Sequence, residues 1–268
     1  MQIFNLEISN ISYNDFFSKI TKLNKQNIVF TPNPEMLLQA KKDPLFLQNL
    51  QKADYLTIDG IGLYIAFQML EEKYSLLRLL KIPYYFYNLF FRKQYLYKKY
   101  GERICGSDLT QDLLYFFENK KIKITILDLY NPNDNKKTES QKIFSEKLSQ
   151  SFPDLSFDYI IYNPAKKTEI TEQIAQSQSQ VVFSTLGMKK QEKSILHMID
   201  NCPNIKLGLA VGSSFDYFIG FQTRAPEVFR HLGLEWLYRM ITGPSKIQRV
   251  KRIYNAIFVF LFHVLFSK

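Results

Sequence analysis

The sequence is poor in the residues that build metal centres and disulfide scaffolds. It holds two cysteines, Cys105 and Cys202, far apart and in no CxxC pair, so neither a Cys-rich zinc site nor a disulfide framework is expected, and the pair fits a reducing cytoplasm. The three histidines, His197, His231 and His263, are too widely spaced for an HExxH helix, and no metal or other cofactor is expected. Long apolar runs are also missing. The longest near the C-terminus, Ile257 to Phe266 with His263 inside it, falls short of the ~20 residues of a spanning helix. The opening MQIFNLEISN has neither the basic nor the apolar region of a secretory signal, so the chain is expected to stay in the cytoplasm. With 46% hydrophobic and 22% charged residues, the composition excludes disordered, collagenous and low-complexity chains.

What the sequence does have is length for a core and an uneven charge. Its 268 residues correspond to between one and two domains at roughly 150 residues each. Lysine and arginine number 35 against 25 acidic residues, and the excess is local. Residues 71–104 hold 8 basic and 3 acidic side chains, and residues 239–268 hold 6 and none, whereas the rest of the chain is balanced. Both segments are rich in Leu, Phe, Tyr and Ile. Cations beside aromatic and aliphatic groups suit an anionic membrane surface, where each Lys or Arg contributes about 1 kcal/mol. Core helices with snorkelling cations are the plainer reading. Nucleic-acid binding would also use positive charge, but the aliphatic bulk argues against it.

Short β-branched or aromatic runs alternate with amphipathic stretches: strands are expected at 3–8, 27–31, 55–58, 123–127, 157–162, 181–186 and 206–211. Such alternation predicts an α/β fold with a mostly parallel sheet covered by helices on both faces, whose ligands bind at the carboxyl ends of the strands. Four loops there carry polar groups. Thr31-Pro32-Asn33-Pro34-Glu35 follows the run NIVF, and Asn33 is a helix cap candidate while Thr31 is not. Asp59-Gly60-Ile61-Gly62 follows YLTI, placing a carboxylate able to act as a general base beside two glycines, although the same residues also make a tight turn. Arg103 precedes Ser107 and Asp108, either of which can cap the next helix, and its planar guanidinium suits a phosphate. Gly187 precedes Lys190-Gln191-Glu192. A last block, Val211 to Arg249, is dense in Gly, Asp, Arg and aromatics, with Arg224, Arg230, Arg239, Lys246 and Arg249 among its cations.

In their order, TPNPEM, DGIG, ERICGSDL, GMKKQE and VGSSFDYFIG…RAP…GLEWLYR resemble the WecG/TagA/CpsF glycosyltransferases of bacterial envelope polymer synthesis, over nearly the whole chain. The resemblance implies a Rossmann-like α/β core of the GT-E type over 1–212, with 71–100 as a basic aromatic insertion, and a basic, apolar helical appendage over 213–268 that closes the active site and contacts the membrane. It implies transfer with inversion of an N-acetylmannosamine-type or other hexose unit from a UDP-sugar to a polyprenyl-diphosphate-linked sugar, by a peripheral protein on the inner face of the plasma membrane. By motif, Asp59 is the base and Thr31 a second catalytic residue. Asn33, Gln191, Glu192, Gly60, Gly62 and Gly187 bind the sugars, and Arg103, Arg239, Lys246 and Arg249 the diphosphate. No DxD triplet occurs, so fixed cations rather than a metal are expected to stabilise the leaving diphosphate.

The sequence departs from the family pattern in places. Lys189 stands where a proline is usual, Lys246 where an arginine is usual, and Asp128-Leu129-Tyr130-Asn131-Pro132 where two glycines follow the central strand. The stretch between DGIG and ERICGSDL is longer than the family's by roughly twenty residues. A non-catalytic membrane scaffold of the same fold and a basic nucleic-acid-binding protein are the alternatives. An exposed apolar tail also leaves self-association into a homo-oligomer open.

Overall fold

The computed structural model describes residues 1–129, 137–220, 223–231, 235, 238 and 254–267. The chain opens with a two-stranded antiparallel hairpin, β1 (Gln2–Ile3) and β2 (Leu6–Glu7), followed by α1 (Tyr13–Ile20). The single strand expected at 3–8 is thus interrupted: Phe4 and Asn5 have φ of 49° and 64°, left-handed values that turn the chain back on itself.

The main body alternates strands and helices as expected. After β3 (Asn27–Phe30) come α2 (Pro34–Lys42), α3 (Pro44–Gln51), β4 (Tyr55–Leu56) and α4 (Gly62–Leu70). Three helices then fill the insertion, α5 (Ser75–Leu80), α6 (Ile82–Phe91) and α7 (Lys93–Tyr100), before α8 (Gly106–Lys120). The second half runs β5 (Ile124–Leu129), α9 (Lys137–Ser151), β6 (Phe157–Tyr162), α10 (Lys167–Gln176), β7 (Val181–Ser184), α11 (Lys190–Asn201) and β8 (Leu207–Ala210). Six strands form one sheet in the order β4-β3-β8-β7-β5-β6, every pairing parallel. All their carboxyl ends therefore lie along one edge. The central strands β3, β7 and β8 are buried at every residue, which is why they read as continuous apolar runs without alternation.

Two hydrophobic clusters cover the two faces. One gathers Phe30, Leu37, Phe67, Tyr100 and Ile195. The other gathers Val29, Leu113, Phe117, Ile126 and Phe183; the adjacent strand residues Val29 and Phe30 point into different clusters, as the period of two requires. Residues beyond the expected boundary at 212 join both. Phe215 is buried in the second cluster and Phe260 and Val264 in the first.

The last described segment is a π-helical turn, Asn255–Val259, running into α-helix Phe260–Leu265. It packs on α2 and α4, and Arg78 of α5 holds its end. The buried guanidinium donates to the carbonyls of Val264 at 2.8 Å, Leu265 at 3.1 Å and Ser267 at 2.7 Å, and to Glu72 O at 2.9 Å. Val264 O also accepts from Ser267 N at 3.2 Å and Ser267 Oγ at 2.8 Å, so the guanidinium adds a cation to carbonyls at the negative end of the helix dipole. No helix of the described residues is long and apolar enough to cross a membrane. Arg78→Ala is expected to cost about 3 kcal/mol, or roughly 10 °C in Tm, because it removes a charged donor shared by several carbonyls at the helix end; an unchanged thermal midpoint would show that the clamp contributes nothing.

Candidate active site

The polar loops after β3, β4, β7 and β8 converge because these four strands are neighbours in the sheet. The loop after β3 carries Thr31 and Asn33, and the loop after β4 carries Asp59, Gly60 and Gly62. Gly187, Gln191 and Glu192 follow β7, and Gly212 follows β8. At about 4.8 Å per strand spacing, the carboxyl ends from β4 to β7 span roughly 14 Å, enough for two sugar units side by side.

At the β4 end the chain does more than form a turn. Only Tyr55 and Leu56 pair as strand, but Ile58 makes an isolated parallel bridge to Arg103, and Ile104 N donates to Ile58 O at 2.9 Å. This bridge brings Arg103 beside Asp59, forty-odd residues away in sequence. Burial opposes the Arg103 charge, yet Cys105, Asp59 and Tyr97 outweigh it and hold the guanidinium protonated more firmly than usual. The same surroundings push the Cys105 thiol up to about 11, through burial first and the charge of Asp59 second, so it is a neutral thiol at neutral pH and a poor nucleophile. Gly60 packs on the neighbouring loop, where an added methyl group would lie 3.0 Å from Pro34 Cδ. Gly62 begins α4.

At the β3 end Asn33 caps α2, accepting from Met36 N at 3.0 Å. Thr31 faces the start of α8: a methyl group added at Gly106 would lie 3.1 Å from Thr31 Oγ1 and 3.6 Å from Ser214 Oγ. Gly106 and Ser214 are therefore neighbours of Thr31, which the sequence reading did not single out. The second serine of Val211-Gly212-Ser213-Ser214, just past a strand, was the available signal. Neither Ser107 nor Asp108 caps α8. Cys105 occupies the cap position with no side-chain capping bond, its thiol lying 3.2 Å from Ser107 Oγ, and both polar side chains instead accept from Arg224, Ser107 at 3.1 Å. Arg224 also donates to Gln111 Oε1 at 3.2 Å and stacks over Tyr217.

On the β7 side, Gly187 has φ of +81° with open space where a Cβ would stand, so glycine serves the backbone there and leaves the cleft clear. Lys189 has φ of +72°, a conformation that a proline ring cannot adopt, and its ammonium pairs with Asp43 at 2.8 Å. That hydrogen bond is the main reason Asp43 titrates below the usual carboxylate range. Gln191 is buried: Oε1 accepts from Gly212 N at 3.0 Å and Nε2 donates to Glu192 Oε1 at 2.7 Å. It joins the β7 and β8 loops.

Near the carboxyl end of β5, Asp128 accepts from Thr185 Oγ1 and Leu129 N, at 2.8 and 2.7 Å, and from Tyr159 OH. Tyr130, Asn131 and Pro132 lie outside the described residues, as do Arg239, Lys246 and Arg249.

Glu192 is wholly buried, and Oε2 has no hydrogen-bond partner among the described residues. Burial raises its pKa, against the bond from Gln191. Folding therefore favours the protonated form. The penalty is absent below about pH 4, where the unfolded side chain is also protonated, and complete once pH has risen through the folded value. Glu192→Gln is expected to gain about 1 kcal/mol at neutral pH and nothing at acid pH; equal gains at both, in urea unfolding, would rule the carboxyl out as the cause.

The profile of the glycosyl transferase WecG/TagA/CpsF family matches residues 1–82 and 89–268, leaving out six residues of the insertion. Curated relatives named N-acetylglucosaminyldiphosphoundecaprenol N-acetyl-beta-D-mannosaminyltransferase include one from Bacillus spizizenii, 26% identical over 90% of this chain and 80% of its own length. Another from Bacillus subtilis is 27% identical over 84% and 75%, and one from Staphylococcus aureus is 25% identical over 84% and 76%. With its motifs gathered along one edge of a parallel sheet and the profile covering nearly all of it, the chain belongs to the WecG/TagA/CpsF family of glycosyltransferases.

Proposed function

We propose that this enzyme transfers an N-acetylmannosamine-type unit from a UDP-sugar to a polyprenyl-diphosphate-linked N-acetylglucosamine, with inversion and without a metal, in the synthesis of a bacterial envelope polysaccharide or teichoic acid. The names of the relatives support the donor sugar and the acceptor. The observation that carries the reading is the gathering of Thr31, Asn33, Asp59, Gly187 and Gln191 at the carboxyl ends of β3, β4 and β7, where α/β folds bind their ligands.

In this mechanism the Asp59 carboxylate takes the proton of the acceptor hydroxyl. The freed oxygen attacks the anomeric carbon from the face opposite the diphosphate, and the carbon–oxygen bond to UDP breaks with its electron pair on the leaving phosphate. One displacement inverts the centre. Asp59 suits the base role because it stands at an open strand end, half-exposed, beside the buried Ile58 and the cationic Arg103. Arg103 takes the acceptor diphosphate, while Arg239, Lys246 and Arg249 close over the departing UDP. Thr31 orients the acceptor hydroxyl, and the free side of Asn33 together with Gly60 and Gly62 shapes the sugar site. Gln191 keeps one amide hydrogen for the donor sugar, with Glu192 acting through it, and Gly187 lets the backbone approach. The acceptor's lipid anchor places the enzyme at the inner face of the membrane.

Asp59→Asn is expected to lower kcat by at least about 100-fold with folding unchanged, and product formation is expected to be insensitive to EDTA, assayed with a panel of UDP-sugars and a short-chain lipid-diphosphate acceptor. Turnover that survives in the variant, or that EDTA abolishes, would contradict the mechanism. Acceptor binding without turnover on any donor would make the chain a scaffold. Arg103→Lys keeps the charge but loses the fork, and kcat/KM for the acceptor is expected to fall about tenfold; an unchanged value would remove Arg103 from the diphosphate site.

A further inference from the structure

Helix α5 is built inside out. In Ser75–Leu80 the single buried residue is Arg78, while Leu76, Leu77, Leu79 and Leu80 are exposed. A surface helix in water shows the reverse arrangement. The pattern continues in α6, where Tyr84, Tyr87 and Phe91 recur at helical spacing and are all exposed, and in the terminal helix, where Phe258, Phe262 and Phe266 recur every fourth residue. Six of these side chains, Leu76, Leu80, Phe91, Phe258, Phe262 and Phe266, are between 61% and 77% exposed. Arg78 explains how the two parts stay together: its guanidinium on the last carbonyls of the terminal helix fixes that helix against α5.

Charge decides what such a face can meet. Both acids that precede α5 are neutralised, Glu71 by Lys99 and Glu72 by Lys81, each at 2.6 Å. The exposed Lys73, Arg92 and Lys98 then set the sign of the surroundings. A second copy packed face to face would set these cations against themselves, since a two-fold contact uses the same patch twice. An anionic bilayer accepts the apolar side chains and the cations together. The insertion also reaches the site: Lys93 and Tyr97 of α7 lie close enough to Arg103 to feel its charge. Residues 83–88, the part the family profile leaves unmatched, lie within α6 itself.

We propose that α5 and α6 of the insertion, stapled to the terminal helix by Arg78, give this enzyme a lipid-facing platform of its own beyond the terminal segment, which seats it on an anionic bilayer. The proposal deepens the transfer reading and rests on it only for the lipid anchor of the acceptor. Its apolar side chains enter the headgroup boundary while α7 hands the acceptor diphosphate to Arg103.

The test is flotation of the full chain, without substrates, on vesicles of phosphatidylglycerol and phosphatidylcholine in equal parts and on phosphatidylcholine alone. Binding is expected on the anionic vesicles, weakening with salt. The triple variant Leu76→Ser, Leu80→Ser, Phe91→Ser is expected to bind them at least about tenfold more weakly, while keeping its Tm and its turnover on a water-soluble short-chain acceptor. Arg92→Glu with Lys98→Glu is expected to weaken anionic binding alone. Wild-type protein that ignores both vesicle types, or a triple variant that floats like wild type, overturns the platform whatever the turnover. A wild-type dimer that dissociates in the triple variant, with no vesicle binding in either, assigns the face to a second copy. Absence of turnover with intact vesicle binding counts against the transfer reading and leaves the platform standing.

Discussion

Strand β8 is the constraint on which the site depends. It pairs in parallel with β3 on one side and β7 on the other, so Ala210 stands level with both Phe30 and Ser184. Without it the loops after β3 and β4 and the loop after β7 would belong to separate halves of the chain. Its interior is packed tightly: a methyl group on Gly208 would lie 2.6 Å from Ile195 Cγ2 of the covering helix α11. The bond from Gly212 N to Gln191 then locks the loops after β8 and β7 to each other at the same edge. Because strands pair through backbone groups, their registry positions the loops at their ends independently of the side chains those loops carry.

On that edge the chemistry divides by environment. The β4 side is electrostatic, with the charges of Asp59 and Arg103 held together by a backbone bridge at Ile58. The β7 side is a hydrogen-bonded frame in which Gln191 holds two loops and Glu192 is buried against it. Lys189 and Asp128 each have a local structural role. Lys189 occupies a left-handed position closed to proline and reaches Asp43. Asp128, next to last in β5, is held by Tyr159 of β6 and by Thr185 just past β7, so it braces three neighbouring strands.

The insertion and the terminal helix couple the core to what lies outside it. Gln68 of α4 accepts from Asn88 and donates to Tyr85 O, both of α6, so the insertion is bonded to a core helix at two buried points. An arginine buried under leucines is costly unless its donors are used, and Arg78 places Nε on Glu72 O and Nη1 on the carbonyls of Val264, Leu265 and Ser267. The leucines are displaced outward as a consequence.

Much of this was legible in the residues. The runs at 157–162 and 27–31 became β6 and β3 almost without change, β3 because a buried parallel strand is continuously apolar and β6 because its aromatic and β-branched residues suit an edge strand. The strand-end loops could be recognised from Pro, Gly and Asn at positions where helices begin, and Asn33 does cap α2. Local signals failed where the outcome depended on distant partners. Residues 3–8 folded into a hairpin, Ser107 and Asp108 became ligands of Arg224 rather than caps, and Ser214 arrived beside Thr31 from far along the chain. The amino-acid sequence by itself determined the alternation of strand and helix and the chemical character of each loop, since these follow from backbone propensity and hydrophobic period. Only the tertiary structure decided which loops meet, that Arg78 turns inward and its leucines outward, and that Arg103 stands beside Asp59, because those outcomes rest on strand order and on the pairing of buried polar groups across long separations.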